Sequence, residues 1–572
     1  MNRSSVTLAF LGSGGSGVMT SGQMLFDAAA RAGWFGHSSR SSGPQIRGGE
    51  AASFLTLSPL PVDCPGDRFD LILAFDWQNI ERFVDELPMA PGGVILADPA
   101  QGEVPPALLT EGVRVLELPL KQLADAIKGG RANMIGLGAV GAAIGLPPID
   151  RDAVIGALLA KKGEAAIAAA VAGAASGAEA VAGLGLGLEL EPGADHRGER
   201  WSLSGCEGIA FGALKAGVRF CAAYPITPAT ELLEWLAPRL PRLGGQLVQA
   251  EDEIASINMC IGASFGGIPS FTATSGPGLS LMIEALGLAV ASETPVVVAD
   301  VMRGGPSTGI PTKSEQADLN IAVYGMHGDA PHLVVAPTSI VDSVLTGQWA
   351  VHLAEALQTP CIVLSDQAMG QGRVLADAPP DENYRAERLL AVVAGDTPYS
   401  RYADTDSGIS PVAIPGMAGG EHTAEGLEHG ENGLPSAGAV DHCRQLDKRR
   451  RKLMQHDFGE HWAELDGDGD VAVLTWGSVT GPARAAVARL RAEGTKVRLV
   501  ALRLISPIQP HRLVAALDGV RTLLVLEQCH GAQFHKYLRA HVDLPQDTVV
   551  FNRPGPLPIR ACEVYDRLVE RL

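Results

Sequence analysis

The sequence contains no C-x-x-C pair. Its cysteines, Cys64, Cys206, Cys221, Cys260, Cys361, Cys443, Cys529 and Cys562, stand singly. That spacing excludes a zinc site or a ferredoxin-type cluster written by neighbouring ligands. If electrons leave through iron and sulfur, another chain must carry the metal. Clustered positive charge is scarce as well. A formal net charge of −19 and a pI near 5.2 argue against a surface built for nucleic acid or an anionic membrane. Long apolar runs are also missing. The longest uncharged Ala/Gly stretch, Ala165 to Ala178, is shorter than the roughly 20 residues that a bilayer span requires and reads as a surface helix or linker. Met1 to Ser5 lacks the basic-then-apolar opening of a signal peptide and runs directly into the strand-like Val6 to Leu11, so a cytoplasmic location is expected.

What is present is a long chain with repeated α/β alternation. At 572 residues it exceeds a single core, and three or four domains are the natural expectation. Residues 1–183 alternate short apolar runs (Val6 to Leu11, Leu71 to Ala74, Gly93 to Ala97, Val113 to Leu118) with helical stretches. Residues 184–200 lose that periodicity and read as a linker. A second alternation fills 201–394, with strands expected near Val218 to Tyr224, Leu247 to Ala250, Ser270 to Thr274, Pro295 to Val301, His332 to Val335 and Cys361 to Leu364. Residues 395–469 form an excursion rich in Gly, Pro, Asp, His and Ser, and excursions of this length tend to be functional or mobile. Its basic run, Lys448-Arg449-Arg450-Arg451-Lys452, is expected to be a solvated helix face. A last α/β unit occupies 470–572.

The chemistry concentrates in the second unit. Four unusual segments each follow an apolar strand: Tyr224-Pro225-Ile226-Thr227-Pro228, Glu251-Asp252-Glu253, Ser275-Gly276-Pro277-Gly278, and Arg303-Gly304-Gly305-Pro306-Ser307-Thr308-Gly309. In a parallel sheet the carboxyl ends of the strands share one edge, where doubly wound folds bind ligands. Any one segment alone is turn punctuation; four together point to a pocket. Glu251 and Asp252 are explained as complements to a helix dipole. Glu253 opens a helix whose apolar face is expected to run Ile254, Ile257, Ile261 and Phe265. A carboxyl there, desolvated against an apolar ligand, could share a proton with a heterocycle nitrogen. Arg303 is the cation of the set, and its planar fork suits the carboxylate of an organic acid.

These runs, continued through Pro311-Thr312-Lys313, resemble the α subunit of 2-oxoacid:ferredoxin oxidoreductases, most nearly the 2-oxoglutarate type. The N-terminal part is similar to that family's γ domain through Gly12-Ser13-Gly14-Gly15-Ser16-Gly17 and Gly43-Pro44-Gln45-Ile46-Arg47-Gly48-Gly49. The first of these also fits the G-x-G-x-x-G pattern of a nicotinamide site. However, no strand ending in an acid follows about 20 residues on. The last unit, with Trp476-Gly477-Ser478 and Glu527-Gln528-Cys529-His530-Gly531, resembles the C-terminal domain of transketolases. The implied fold is a multi-domain α/β chain: a γ-type domain, a thiamine diphosphate pyrimidine-type domain and a transketolase C-terminal-like domain.

The resemblance implies that Glu253 faces the aminopyrimidine of thiamine diphosphate, with Tyr224, Pro225, Ile226, Ser275 and Gly276 lining the cofactor. It further implies that Thr227, Arg303 and Thr312 hold the 2-oxoacid, and that Gly14, Gly15, Gly17 and Arg47 lie on the coenzyme A side. Gly467-Asp468-Gly469 precedes its strand, and no Asn follows before Asn552, so it does not repeat the diphosphate motif of thiamine enzymes. Mg2+, the diphosphate and a [4Fe-4S] cluster are therefore expected on a separate β subunit, in an (αβ)2 assembly that passes electrons to ferredoxin. The alternatives are a broad-specificity 2-oxoacid enzyme, a self-sufficient thiamine diphosphate carboligase, and a non-catalytic nucleotide-binding or scaffold protein.

Overall fold

A computed structural model describes residues 3–43, 49–193, 200–392 and 398–572. Arg47 and its neighbours from Pro44 to Gly48, and most of the charged end of the 184–200 segment, lie outside the described residues. The chain forms two compact units. One comprises Met1–Ser204 with Gly372–Ala378 and Arg560–Cys562; the other comprises Gly205–Gln371, Pro379–Ile559 and Glu563–Leu572.

The first unit is built on an eight-stranded mixed sheet. Val6–Ser13 lies at its centre, antiparallel to Glu50–Ser58 and parallel to Phe69–Ala74. Both faces of the Val6–Ser13 strand are buried, which suits its continuous apolar run. Phe35–Ser42 and Glu50–Ser58 carry too many small and polar residues to announce themselves as strands, yet they pair in full register with each other. The strand that follows the glycine turn and its helix, Phe35–Ser42, pairs with Glu50–Ser58 and Arg373–Ala376, not with Val6–Ser13. The parallel βαβ pairing of a dinucleotide fold is therefore not formed here.

Residues Glu164–Val181 are a helix of 18 residues, long and apolar enough by length and composition to cross a membrane. It is not a linker. Its small face packs tightly on Ala132–Ala143: a Cβ on Gly138 would fall 1.8 Å from the Ala174 carbonyl oxygen, and one on Gly177 1.9 Å from that of Ile135. Alanine and glycine are what allow two helix backbones to approach so closely.

The second unit contains two sheets. The seven-stranded one runs, edge to edge, Leu504–Ser506, Leu333–Val335, Pro360–Asp366, Val296–Met302, Ser270–Thr274, Phe220–Ala223, Gln246–Gln249. All its pairings are parallel except that of Leu504–Ser506, which comes from the C-terminal region. From Phe220–Ala223 the chain steps outward to Gln246–Gln249 and then returns across to Ser270–Thr274, so strand order reverses between Phe220–Ala223 and Ser270–Thr274. Ligands of open α/β sheets bind at such a switch point, beyond the carboxyl ends of the strands. The five-stranded sheet runs Ala463–Asp466, Val497–Leu502, Val471–Trp476, Thr522–Glu527, Asp547–Asn552. Gly467 and Gly469, at φ 77° and 138°, make the turn between its first two strands in sequence.

The basic run does not form a solvated face. Within the helix Ala439–Met454, Gln445, Lys448, Arg449, Lys452 and Leu453 make one buried stripe, and only Arg450 of the five cations is exposed. Glu293, itself fully buried, pairs with the Lys448 ammonium and accepts from Lys452 Nζ at 2.9 Å. Arg401 Nη2 donates to the Glu293 carbonyl at 2.9 Å. Arg449 pairs with Glu428 at 2.7 Å. Helical spacing put three of the cations on one side, and a carboxylate more than 150 residues away in sequence made that side the inner one.

Candidate active site

Four loops meet at the switch point. The helix Glu253–Phe265 begins where Asp252, in an extended conformation, caps it by accepting the Ala255 amide at 2.7 Å. That cap fixes the phase of the helix. Its buried stripe is Glu253, Ser256, Ile257, Cys260, Ile261 and Ser264, so Glu253 is itself part of the inward face, whereas Ile254 is half exposed. The expected apolar face was therefore one position out of phase at its start.

Glu253 is 6% exposed, and its side chain lies over Gly278 in the first turn of the helix Gly276–Ala291. A Cβ on Gly278 would stand 2.6 Å from Glu253 Cγ and Oε1 and 2.0 Å from Thr274 Oγ1. Glycine at this position is the reason that the carboxylate can reach across. Ser275, fully buried just before the same helix, has a hydroxyl with no hydrogen-bonding partner. Gly276 plays a role similar to that of Gly278: a Cβ there would meet both carboxylate oxygens of Asp318, at 2.6 and 2.7 Å.

Arg303 follows the buried strand Val296–Met302, and its Nη1 donates to the Thr227 carbonyl at 2.7 Å. The structure thus brings Arg303 and Thr227 into direct contact. Tyr224, Pro225 and Ile226 precede Thr227 on the same loop; Tyr224 is exposed and Ile226 packs on the core. The segment after Arg303 folds back on itself, Ile310 N donating to Gly304 O at 2.9 Å and Gly304 N to Lys313 O at 3.1 Å. Thr312 sits in it at φ 40° and Ser307 at φ 59°, left-handed conformations that cost non-glycine residues about 1–2 kcal/mol each.

The C-terminal sheet holds the continuation of this loop. Gln316 N donates to Gln528 O at 2.8 Å, Gln316 Nε2 to Trp476 O at 2.9 Å, and Gln533 Nε2 to Ala317 O at 2.9 Å. Gln316 and Gln533, together with Asp300 and Asp318, lie beside these loops and were missed by the sequence reading. Asp300 left a signal, a lone acid inside Val-Val-Val-Ala-Asp-Val-Met; Gln316 and Gln533 left none. Burial, partly offset by the Gly555 amide and His530, pushes the Glu315 carboxyl up from its ordinary range.

In the first unit, Gly14, Gly15 and Gly17 form the turn between Val6–Ser13 and the helix Val18–Arg31, with Gly15 and Gly17 at φ 100° and 96°. Asp76 accepts from both Ser13 N and Ser13 Oγ at 2.9 Å, which ties the start of that turn to the strand end beside it. Among the described residues no group of three or more His, Cys, Asp or Glu side chains is placed to hold a metal ion.

Comparison with known proteins points to one family. Residues 211–448 match the family model described as pyruvate flavodoxin/ferredoxin oxidoreductase, thiamine diphosphate-binding, and residues 7–180 match that of pyruvate ferredoxin/flavodoxin oxidoreductase. The α subunit of a 2-oxoacid:ferredoxin oxidoreductase from Saccharolobus solfataricus is 35% identical over 366 residues, 60% of this chain and 58% of that protein. The match thus spans somewhat more than half of that relative. A 2-oxoglutarate oxidoreductase subunit KorA from Mycobacterium tuberculosis is 32% identical over 548 residues, covering 88% of this chain and 82% of that one. A 2-oxoglutarate:ferredoxin oxidoreductase from Magnetococcus marinus, solved with 2-oxoglutarate, coenzyme A and succinyl-CoA bound, superimposes with a TM-score of 0.92 at 34% identity over the whole of both chains. On the family models and on these full-length likenesses, the chain belongs to the 2-oxoacid:ferredoxin oxidoreductase family.

Proposed function

We propose that this chain is the α subunit of a 2-oxoglutarate:ferredoxin oxidoreductase, which converts 2-oxoglutarate, coenzyme A and oxidised ferredoxin to succinyl-CoA, carbon dioxide and reduced ferredoxin. The observation that carries the reading is Glu253, a carboxylate buried at the switch point over a glycine that leaves it room. The residues fit the pyrimidine half of thiamine diphosphate. A buried acceptor, Glu253, and the buried, unpartnered Ser275 hydroxyl flank the glycine-bearing start of the helix Gly276–Ala291.

Bound thiamine diphosphate supplies the carbanion sink for decarboxylation. Glu253 holds a proton at the aminopyrimidine ring nitrogen, and its burial keeps water from competing for that hydrogen bond. Arg303 and Thr227, already in contact, orient the 2-oxoacid carboxylate, with Thr312 beside them on the folded-back loop. Tyr224, Pro225, Ile226 and Gly276 shape the walls. The Gly14–Gly17 turn contributes to the coenzyme A side.

The diphosphate, Mg2+ and a [4Fe-4S] cluster belong to a β subunit. Exposed apolar side chains on the site helices, Ile254, Met259 and Leu281, with Tyr224 on the first loop, are consistent with a partner covering this edge. An (αβ)2 assembly is the expected form.

The test is to purify the chain alone and together with its β subunit, and to follow reduction of a low-potential dye that depends on coenzyme A, with 2-oxoglutarate and with pyruvate. Activity in the pair, faster with 2-oxoglutarate and absent from the single chain, is expected. Turnover by the isolated chain would contradict the split site. A preference for pyruvate would move the assignment to a broad-specificity 2-oxoacid enzyme.

A further inference from the structure

Asp300 is fully buried in the middle of Val296–Met302, a strand whose other six residues are apolar and also buried, with Thr274 and Leu364 as its register partners. Neither of its carboxyl oxygens reaches a backbone amide or a donor side chain. The group that faces it is a second acid, Asp318. Two buried carboxyls set side by side with no donor to Asp300 favour keeping a proton between them. Asp318 lies against Gly276, where a Cβ would meet both of its oxygens, and its Oδ2 is also buried without a donor. Arg303 stands three residues beyond Asp300, Glu315 three before Asp318, and the Arg303 Nε is buried without an acceptor.

We propose that Asp300 and Asp318 form an acid pair behind Arg303 in which Asp300 keeps its proton and Asp318 gains or loses charge. The pair thereby sets how strongly Arg303 holds the carboxylate of the 2-oxoacid. Both are positioning residues, and the proposal rests on the assignment of Arg303 to the substrate.

Burial acts first on each group. It holds Asp300, with the charge of Asp318 beside it, well above the carboxylate range. Asp318 is pushed by burial up to about 7; the Asp300 carboxyl beside it and the Arg303 charge pull it down, and Glu315 pushes it up. The groups facing Asp318 are therefore Asp300 and Arg303 from the strand and its end, Glu315 from the loop with His530 behind it, and the amino end of the helix Gly276–Ala291. Below neutrality the pair is uncharged and the Arg303 cation is left for the substrate. Above neutrality a negative charge appears beside Arg303 and competes with the incoming carboxylate. The loop carrying Asp318 is clamped through Gln316 and Ala317 to the C-terminal sheet, so this charge cannot simply swing away.

The experiment uses the assembled enzyme, with KM and kcat for 2-oxoglutarate measured from about pH 6 to about pH 8.5. In the wild type, KM should rise about three- to tenfold across this range with little change in kcat. Asp318→Asn should keep the low KM throughout, and Asp300→Asn, in which Asp318 still titrates, should keep the rise. Asp318→Asn with the wild-type slope would overturn the proposal.

Infrared spectra of the wild-type chain by itself separate this idea from the assignment of function, since they need no turnover. One protonated carboxyl should persist above about pH 8 and a second should titrate near neutrality, the first disappearing in Asp300→Asn. Two carboxyls already ionised at pH 6 would overturn the proposal even in an active enzyme. An intact infrared signature in a protein that turns over no 2-oxoacid would refute the functional reading and leave the acid pair standing.

Discussion

At the residue scale the site depends on what is missing from side chains as much as on what they carry. Glu253 can lie across the start of the neighbouring helix because Gly278 has no Cβ. Gly278→Ala would force the carboxylate away from its place by a contact of 2.6 Å. The expected outcome is a loss of at least tenfold in kcat with a change in Tm of only a few degrees, checked by dye reduction and thermal melting of the same preparation.

Asp318 makes a prediction about stability as well as about substrate. Its folded-state pKa is raised, so its contribution is fully present below the unfolded value and is lost as pH rises through about 7. The Tm of the wild-type chain should therefore fall between about pH 5 and about pH 8 by more than that of Asp318→Asn. Equal falls would mean that Asp318 ionises normally. None of this could be read from the sequence. Asp300 stood out as one acid in a buried strand, but its partner lies 18 positions on, in a loop held through Gln316, Gln528 and Gln533. Glu253, in contrast, was legible, because the Asp252 cap and the strand before it fix both the start and the direction of its helix.

At the element scale, the four loops were legible because strand, loop and helix recur four times in one parallel sheet. Topology then forces their ends together. The elements that escaped are those whose partners are remote. Phe35–Ser42 is a strand because Glu50–Ser58 and Arg373–Ala376 pair with it on either side. The basic helix Ala439–Met454 faces inward only because Glu293 waits there.

Burial would raise the Glu293 carboxyl, but Lys452, Lys448 and Arg401 overcome it and hold the group below the ordinary range. Burial in turn lowers Lys452 to about 8. Glu293→Gln would leave Lys448 and Lys452 buried without a counter-charge. A loss of about 3–5 kcal/mol is expected on denaturant unfolding of the chain. It should be accompanied by protease sensitivity in residues 398–454, which Glu293 pins through Arg401 and the two lysines. A change below about 1 kcal/mol would show that the cluster is solvated.

Asp342, which opens the helix Asp342–Leu357, and Arg503, between the strands Val497–Leu502 and Leu504–Ser506, are joined in the same manner through a buried two-pronged pair at 2.7 and 3.0 Å. Burial works to raise Asp342, and Arg503 with the hydrogen bonds from Thr338 and Thr346 lowers it. Its stabilising contribution is present above the unfolded carboxylate range and is lost as pH falls through the lowered value. Arg503→Met should thus destabilise the neutral-pH protein by about 3–5 kcal/mol and flatten its acid-denaturation profile.

At the scale of the whole molecule, the proposed reading makes the chain one half of a cofactor site. The second unit supplies a buried carboxylate, a cation in contact with a substrate-side loop, and a C-terminal sheet that fixes the loop between them. In the sequence, the scattered cysteines and the displaced Gly467-Asp468-Gly469 turn are what point to a partner.

The most direct test of the account is the exchange of the thiazolium C2 proton of thiamine diphosphate into deuterated water. It should be measured in the assembled enzyme without substrate, for the wild type and for Glu253→Gln. If Glu253 holds the proton at the aminopyrimidine, the variant should exchange about 10²- to 10⁴-fold more slowly while still binding the cofactor. Equal exchange rates in the two proteins, with the cofactor bound in both, would contradict the role given to Glu253 and with it the central claim.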